Sequence, residues 1–252
     1  MLEQFLSFAY WTVLISLIAG VLLGFLTGTF YFMRERADKR PDWFFGALLF
    51  TFALTLVHNL ILHQNLIKEH PGLWFLPVYF TLSLGPLFFF FVKLRLFPNY
   101  TLRWTDLKHA ILPLGQFIYF LWFFTRPIDI RIEMGRQFWS PFYGAMEMVL
   151  YIVTFSSYLL FSYRYIRYKK AVIRNQSGIQ QSSLQVFWLK RLVKVLFVIF
   201  LFNAGYIITD FFTYELFNIN LHLIKGFDYI GSLSFAVMML WLAFNGWVMR
   251  HA

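Results

Sequence analysis

The chain contains no cysteine. Disulfide frameworks, thiolate metal sites, cysteine-ligated iron–sulfur clusters and cysteine nucleophiles are therefore excluded. Charge is scarce as well: 13% of the 252 residues are Asp, Glu, Lys or Arg, against 60% that are hydrophobic. A soluble globule of this size would lack the polar side chains to cover itself, so lipid must solvate the chain. Acids are few, 12 against 22 Lys and Arg, which leaves a net charge of +10. A nucleic-acid surface gathers its cations on one water-facing domain; here they fall between apolar runs, and no nucleic-acid partner is expected. The first apolar run, Phe5 to about Met33, has no basic residues before it and is roughly twice the length of a secretory h-region. It is expected to stay in the membrane.

A helix needs about 20 mainly apolar residues to cross the hydrocarbon layer. Seven runs approach that length, at 5–33, 42–62, 72–93, 109–125, 142–163, 193–213 and 227–248. The fourth is short and interrupted by Pro113, Gly115 and Gln116; the first is long and must tilt or project. Segments 34–41, 93–108 and 163–194 with the C-terminal tail hold 17 of the 22 Lys and Arg residues, whereas Lys68, Arg126, Arg131, Arg136 and Lys225 lie on the other side. The positive-inside rule then gives an outside N-terminus and a cytoplasmic C-terminus. The expectation is an all-α, polytopic, multi-pass protein of the bacterial inner membrane, one transmembrane bundle over residues 1–252 without a soluble domain. The longest polar stretch, Tyr163 to Lys194, reads as a basic helix extension up to Arg174 and a flexible turn at Asn175–Gly178. It either anchors to anionic headgroups or receives a protein partner.

Polar side chains inside a bilayer are costly and need a reason. The fifth run places Tyr143, Glu147, Tyr151, Thr154, Tyr158 and Ser162 on one helix face. The sixth repeats the pattern with Asn203, Tyr206, Asp210 and Tyr214, and the second offers Thr51, Thr55, His58 and Asn59. Counted from the outer ends of their spans, Glu147 and His58 lie about 6 to 8 Å deep and Asp210 about 4 to 5 Å deep. Such a layer suits an external cationic or hydrogen-bonding ligand, or a response to protonation; its plainer use is helix-to-helix hydrogen bonding. Ser16, Gly20, Gly24 and Gly28, four residues apart, allow close helix approach within the bundle or across a homodimer. Gly85-Pro86 interrupts the third run and makes either a hinge or a fixed bend.

Retinal chemistry lacks a lysine within the last span, and haem b lacks a facing pair of intramembrane histidines, since only His58 lies at a suitable depth. His58, His63 and His70 do not have the three- or four-residue spacing of a helical zinc pair. There is no Gly-x-Ser-x-Gly elbow and no Gly-rich phosphate loop. No cofactor, metal or catalytic residue is expected.

Gly85-Pro86-Leu87-Phe88-Phe89-Phe90-Phe91-Val92-Lys93, then Leu96 to Pro98, then Asp106-Leu107-Lys108-His109 and Leu112-Pro113, form one notable series; Ala243 to Arg250 closes the last run. Together these segments resemble the N-terminal membrane region of Bacteroidetes-type AraC-family regulators. The resemblance implies a seven-helix sensor-like unit, which in that family precedes a helix-turn-helix output domain. Here the sequence ends two residues after Arg250. The expected function is thus a receptor- or sensor-like membrane protein that signals through a partner at 163–194. A transporter or channel, a membrane-embedded enzyme and a structural subunit remain as alternatives.

Overall fold

A computed structural model describes residues 2–138, 141–175, 180–221 and 224–248, and every regular element among them is helical. The long helices are α1 (Leu2–Met33), α2 (Arg40–His63), α4 (Thr81–Leu96), α5 (Ile111–Phe124), α7 (Pro141–Asn175), α8 (Gln180–Phe217) and α9 (Lys225–Val248). A single turn, α3 (Leu66–Glu69), follows α2, and α6 (Ile128–Phe138) leads from α5 towards α7. Among the described residues six segments are long and apolar enough to cross a membrane: 3–33, 40–63, 104–124, 146–173, 184–217 and 226–248. With these six the chain has the character of a multi-pass membrane protein.

The third apolar run departs from a continuous span. Of the expected 72–93, only the part from Thr81 is α-helical; Pro71–Leu73 form a 3-10 turn, and residues 74–80 lead into α4 without regular structure. Pro71, Gly72 and Pro77 explain the break, because proline removes a backbone donor and glycine weakens a helix. The 16 residues of α4 rise about 24 Å. Arg131 of α6 secures the lead-in by donating from Nη1 to the Gly72 carbonyl at 2.9 Å. The fourth run is assembled differently from the expected single helix, from a 3-10 segment at Trp104–Ala110 followed by α5.

Helix α4 forms the centre, with 14 of its 16 residues buried, as expected of a helix that is apolar all round. It packs between α2 and α7; α7 then packs on α8, α8 on α9, and α9 on α2, which closes a ring. Helix α1 lies in the groove between α2 and α9, and α5 attaches mainly to α4. Phe45, Phe52, Phe88, Phe91, Tyr151, Phe155 and Phe200 fill the interior. Part of the phenylalanine content fills this core, and part is exposed on the outside of the bundle, as at Phe8, Phe187 and Phe202.

Close approaches occur where the small residues are. A Cβ on Gly28 would stand 3.3 Å from the Gly46 carbonyl and 2.6 Å from Phe50, so α1 and α2 cross almost backbone to backbone. Gly20 faces Leu56 and Met239, and Gly24 faces Ala53 and Met239. The stripe therefore packs against α2 and α9. Gly85 plays the same part between α4 and α7, where a Cβ would meet Tyr158 at 2.7 Å. Pro86 sits inside α4, leaving the Leu82 carbonyl without its usual i+4 donor.

The basic helix extension expected up to Arg174 is present as the end of α7, and helix also replaces the rest of the expected polar stretch from Gln180 to Lys194. Helix α7 runs on to Asn175 and α8 begins at Gln180; the remaining turn at 176–179 lies outside the described residues. Val186, Leu189, Leu192, Val193 and Leu196 are buried at helical spacing, as is Ile166 on α7. That apolar stripe gives the extensions a core of their own.

Candidate functional site

Where α4 begins, its first backbone N–H groups have no helical partners, and within lipid each must find one. Side chains from two neighbouring helices supply acceptors. Phe80 N donates to Thr55 Oγ1 on α2 at 3.1 Å, and Leu82 N donates to Gln116 Oε1 on α5 at 3.1 Å. The Gln116 amide then donates from Nε2 to Thr81 Oγ1 at 3.0 Å and to Glu147 Oε1 at 2.9 Å. Thr81 completes the triangle by donating to Glu147 Oε1 at 2.6 Å. Tyr79 lies beside the same group, close enough to Thr81 and Glu147 to interact with both electrostatically.

Glu147 on α7 is thus held by neutral donors from the α4 start and α5, next to the positive end of a helix dipole. A carboxylate is the natural partner for that end of a helix. His58 of α2 closes the group from another side, with its ring over Tyr79 at 4.8 Å between centroids. Tyr151, one turn beyond Glu147, lies near both the carboxyl and Tyr79. Its ring stacks on Phe155 and Phe235, its side chain is 2% exposed, and its hydroxyl has no hydrogen-bond partner. A buried hydroxyl left in this way needs an explanation, because its desolvation is not compensated.

The sixth-run residues gather elsewhere. Asn203, fully buried on α8, donates from Nδ2 to Ser234 Oγ on α9 at 2.8 Å, and its Oδ1 accepts nothing. Tyr206 stacks on Phe227 at 4.4 Å, closes over Gly231, and lies near Asp210 and Asp228. The expected residues therefore fall into two groups, one around Glu147 and one along the α8–α9 seam. Thr154 turns back to its own helix and donates to the Leu150 carbonyl at 2.6 Å, while Asn59 is half-buried on α2. Tyr158 donates to or accepts from His109 Nδ1 at 2.7 Å, which ties α7 to the segment before α5. The side chain of Tyr143 lies outside the described residues.

Three members of the Glu147 group were not among the expected ligand residues: Tyr79, Thr81 and Gln116. Gln116 stands out in the sequence as a polar interruption of a short apolar run, and that interruption is its role. Tyr79 and Thr81 lie in a run that reads as continuous helix, and only Pro71, Gly72 and Pro77 before them signal a late helix start.

No protein-family model matches the chain, nor does any curated protein or any solved structure. Among the described residues no group of His, Cys, Asp and Glu could hold a metal ion.

Proposed function

We propose that the chain is a receptor- or sensor-like bundle, and that Glu147 with Tyr79, Thr81, Gln116, Tyr151 and His58 is its responding centre. One observation carries the reading: Glu147 is bonded to neutral donors at a broken helix while the nearby Tyr151 hydroxyl stays unpartnered. A carboxyl with two sets of available partners can occupy two arrangements. Protonation, or an external hydrogen-bonding ligand, selects between them only through a difference in affinity for the two. The resemblance to AraC-family sensor regions points the same way. In this reading the N-terminus is outside, α4 is the third of seven crossings, and the basic α7 and α8 extensions pass the change to a cytoplasmic partner. Gly20, Gly24 and Gly28 serve the bundle, and a homodimer, where one forms, uses another face.

The test is the pair Glu147→Gln and Tyr151→Phe in nanodiscs, read by hydrogen exchange at the first turn of α4. After correction for the intrinsic pH dependence of amide exchange, a pH step should change protection there in the wild type and in neither variant. Identical responses in all three proteins would rule this centre out. A second reading, transport, is favoured by the same half-helix start, which in discontinuous-helix transporters faces substrate or ions. Flux into proteoliposomes separates the two, since a receptor moves nothing.

A further inference from the structure

The other end of α4 carries a different imbalance. Helix α1 stops at Met33, the link to α2 brings Arg34 and Arg36, and Arg95 comes from the last turn of α4. All three surround Asp42, in the first turn of α2, whose side chain is 1% exposed. Arg36 Nε stands 3.7 Å from Asp42 Oδ2 and Arg95 Nη1 stands 3.9 Å from Oδ1. Arg34 is within electrostatic reach of both Asp42 and Arg95. Of the two acids in the link, Glu35 is exposed and Asp38 belongs to Arg40, which donates to it at 2.8 and 3.0 Å and holds its carboxyl below the usual carboxylate range. Lys93 is also engaged, 3.6 Å over the Tyr100 ring and 3.8 Å from Asp106. Arg36 and Arg95 therefore share the buried carboxylate of Asp42.

The donors are as unbalanced as the charge. Both contacts to Asp42 exceed hydrogen-bond length, and among the described residues no guanidinium hydrogen bond of Arg36 or Arg95 is found. Each guanidinium has five donors in a planar fork. Their side chains are 22% and 14% exposed, so the forks are neither sealed in nor freely hydrated. The negative ends of α1 and α4 offset part of the charge, but none of their carbonyls accepts a hydrogen bond from Arg36 or Arg95. Beside the cluster Phe32, Met33 and Trp43 are exposed, an apolar border where acyl chains would lie.

We propose that Arg36 and Arg95, with Arg34 beside them and Asp42 as the buried carboxylate that positions them, bind the phosphate of an anionic phospholipid headgroup. Two forks converging from the α1–α2 link and from α4 match phosphate oxygens bidentately, which an ammonium cannot do. A basic pocket between membrane helices is a setting in which such headgroups are held. A bound phosphate would link the α1–α2 connection to α4, the helix whose other end meets Glu147. A free phosphoryl anion has the same chemistry and is separated by experiment.

The test uses delipidated full-length protein in detergent and follows the unfolding temperature against added phosphatidylglycerol, phosphatidylcholine or inorganic phosphate. Phosphatidylglycerol should stabilise the wild type at about 10-fold lower concentration than phosphatidylcholine, and the Arg36→Gln/Arg95→Gln variant should lose that preference. Arg164→Gln/Arg167→Gln, on the exposed face of the α7 extension, should keep it. If inorganic phosphate competes phosphatidylglycerol away, the site stands and its ligand is a soluble phosphoryl group. Equal preference in the wild type and the Arg36/Arg95 variant overturns the proposal, as does an equal loss in the Arg164/Arg167 variant, which would mean diffuse attraction. Should the glutamine pair fail to fold, Arg36→Lys/Arg95→Lys decides, because it keeps charge and loses the forks. Its affinity must fall several-fold, and an unchanged affinity overturns the proposal.

Discussion

Gln116 shows how one side chain can hold three elements. Its carbonyl oxygen accepts from the Leu82 backbone and its amide donates to Thr81 and Glu147, so replacing it strands partners on α4 and α7 at once. Gln116→Leu should cost about 1 to 3 kcal/mol, the range for leaving a buried donor unsatisfied, measured as reversible unfolding in mixed micelles. Tyr151→Phe should behave in the opposite way. Its hydroxyl has no partner, so its removal should leave stability unchanged or raise it by up to about 1 kcal/mol, while abolishing the response assigned to Glu147. A large stability loss in Tyr151→Phe would mean that the hydroxyl is structural. The Glu147 face is legible in the sequence, since four-residue spacing puts Tyr143, Glu147 and Tyr151 on one line. Its partners are not, because Thr81 and Tyr79 acquire their roles only from where α4 starts, and that start is set by prolines several residues away.

Helices α1, α2 and α4 are spaced by absent side chains. In lipid the helices gain little from excluding water, and close van der Waals packing has to hold them. Gly28→Ala and Gly85→Ala both insert a methyl where the nearest atoms are 2.6 Å and 2.7 Å away, and each should destabilise by about 1 to 3 kcal/mol. Gly115→Ala, where nothing lies within 4 Å, should be neutral or slightly stabilising. Thermal unfolding of the three variants in one detergent checks the contrast, and equal effects would contradict the packing described. The four-residue repeat of Ser16 to Gly28 announces this contact from sequence alone. The start of α8 is less legible: Gln180 to Lys194 is polar enough to read as loop, and its helix is fixed by Val186, Leu189 and Val193 meeting α7.

For the whole molecule, the absence of cysteine makes topology directly measurable, since any introduced thiol is the sole one. Labelling of whole cells with an impermeant thiol reagent should modify Lys68→Cys but not Arg167→Cys, if the 17-to-5 division of Lys and Arg sets orientation. The reverse pattern would invert the bundle. Charge counting proposes an orientation, but it does not register that the third run is half turn and half helix. That broken run places Glu147 at one end of α4 and the arginine cluster at the other, so one short helix connects both. In the proposed function a change at Glu147 reaches the α7 and α8 extensions. Spin labels at Arg167→Cys and Gln185→Cys, in nanodiscs, report the separation of those extensions directly. A shift in the distance distribution on a pH step in the wild type, absent after Glu147→Gln, is the predicted result; distributions that do not respond, or respond equally in both proteins, would contradict it.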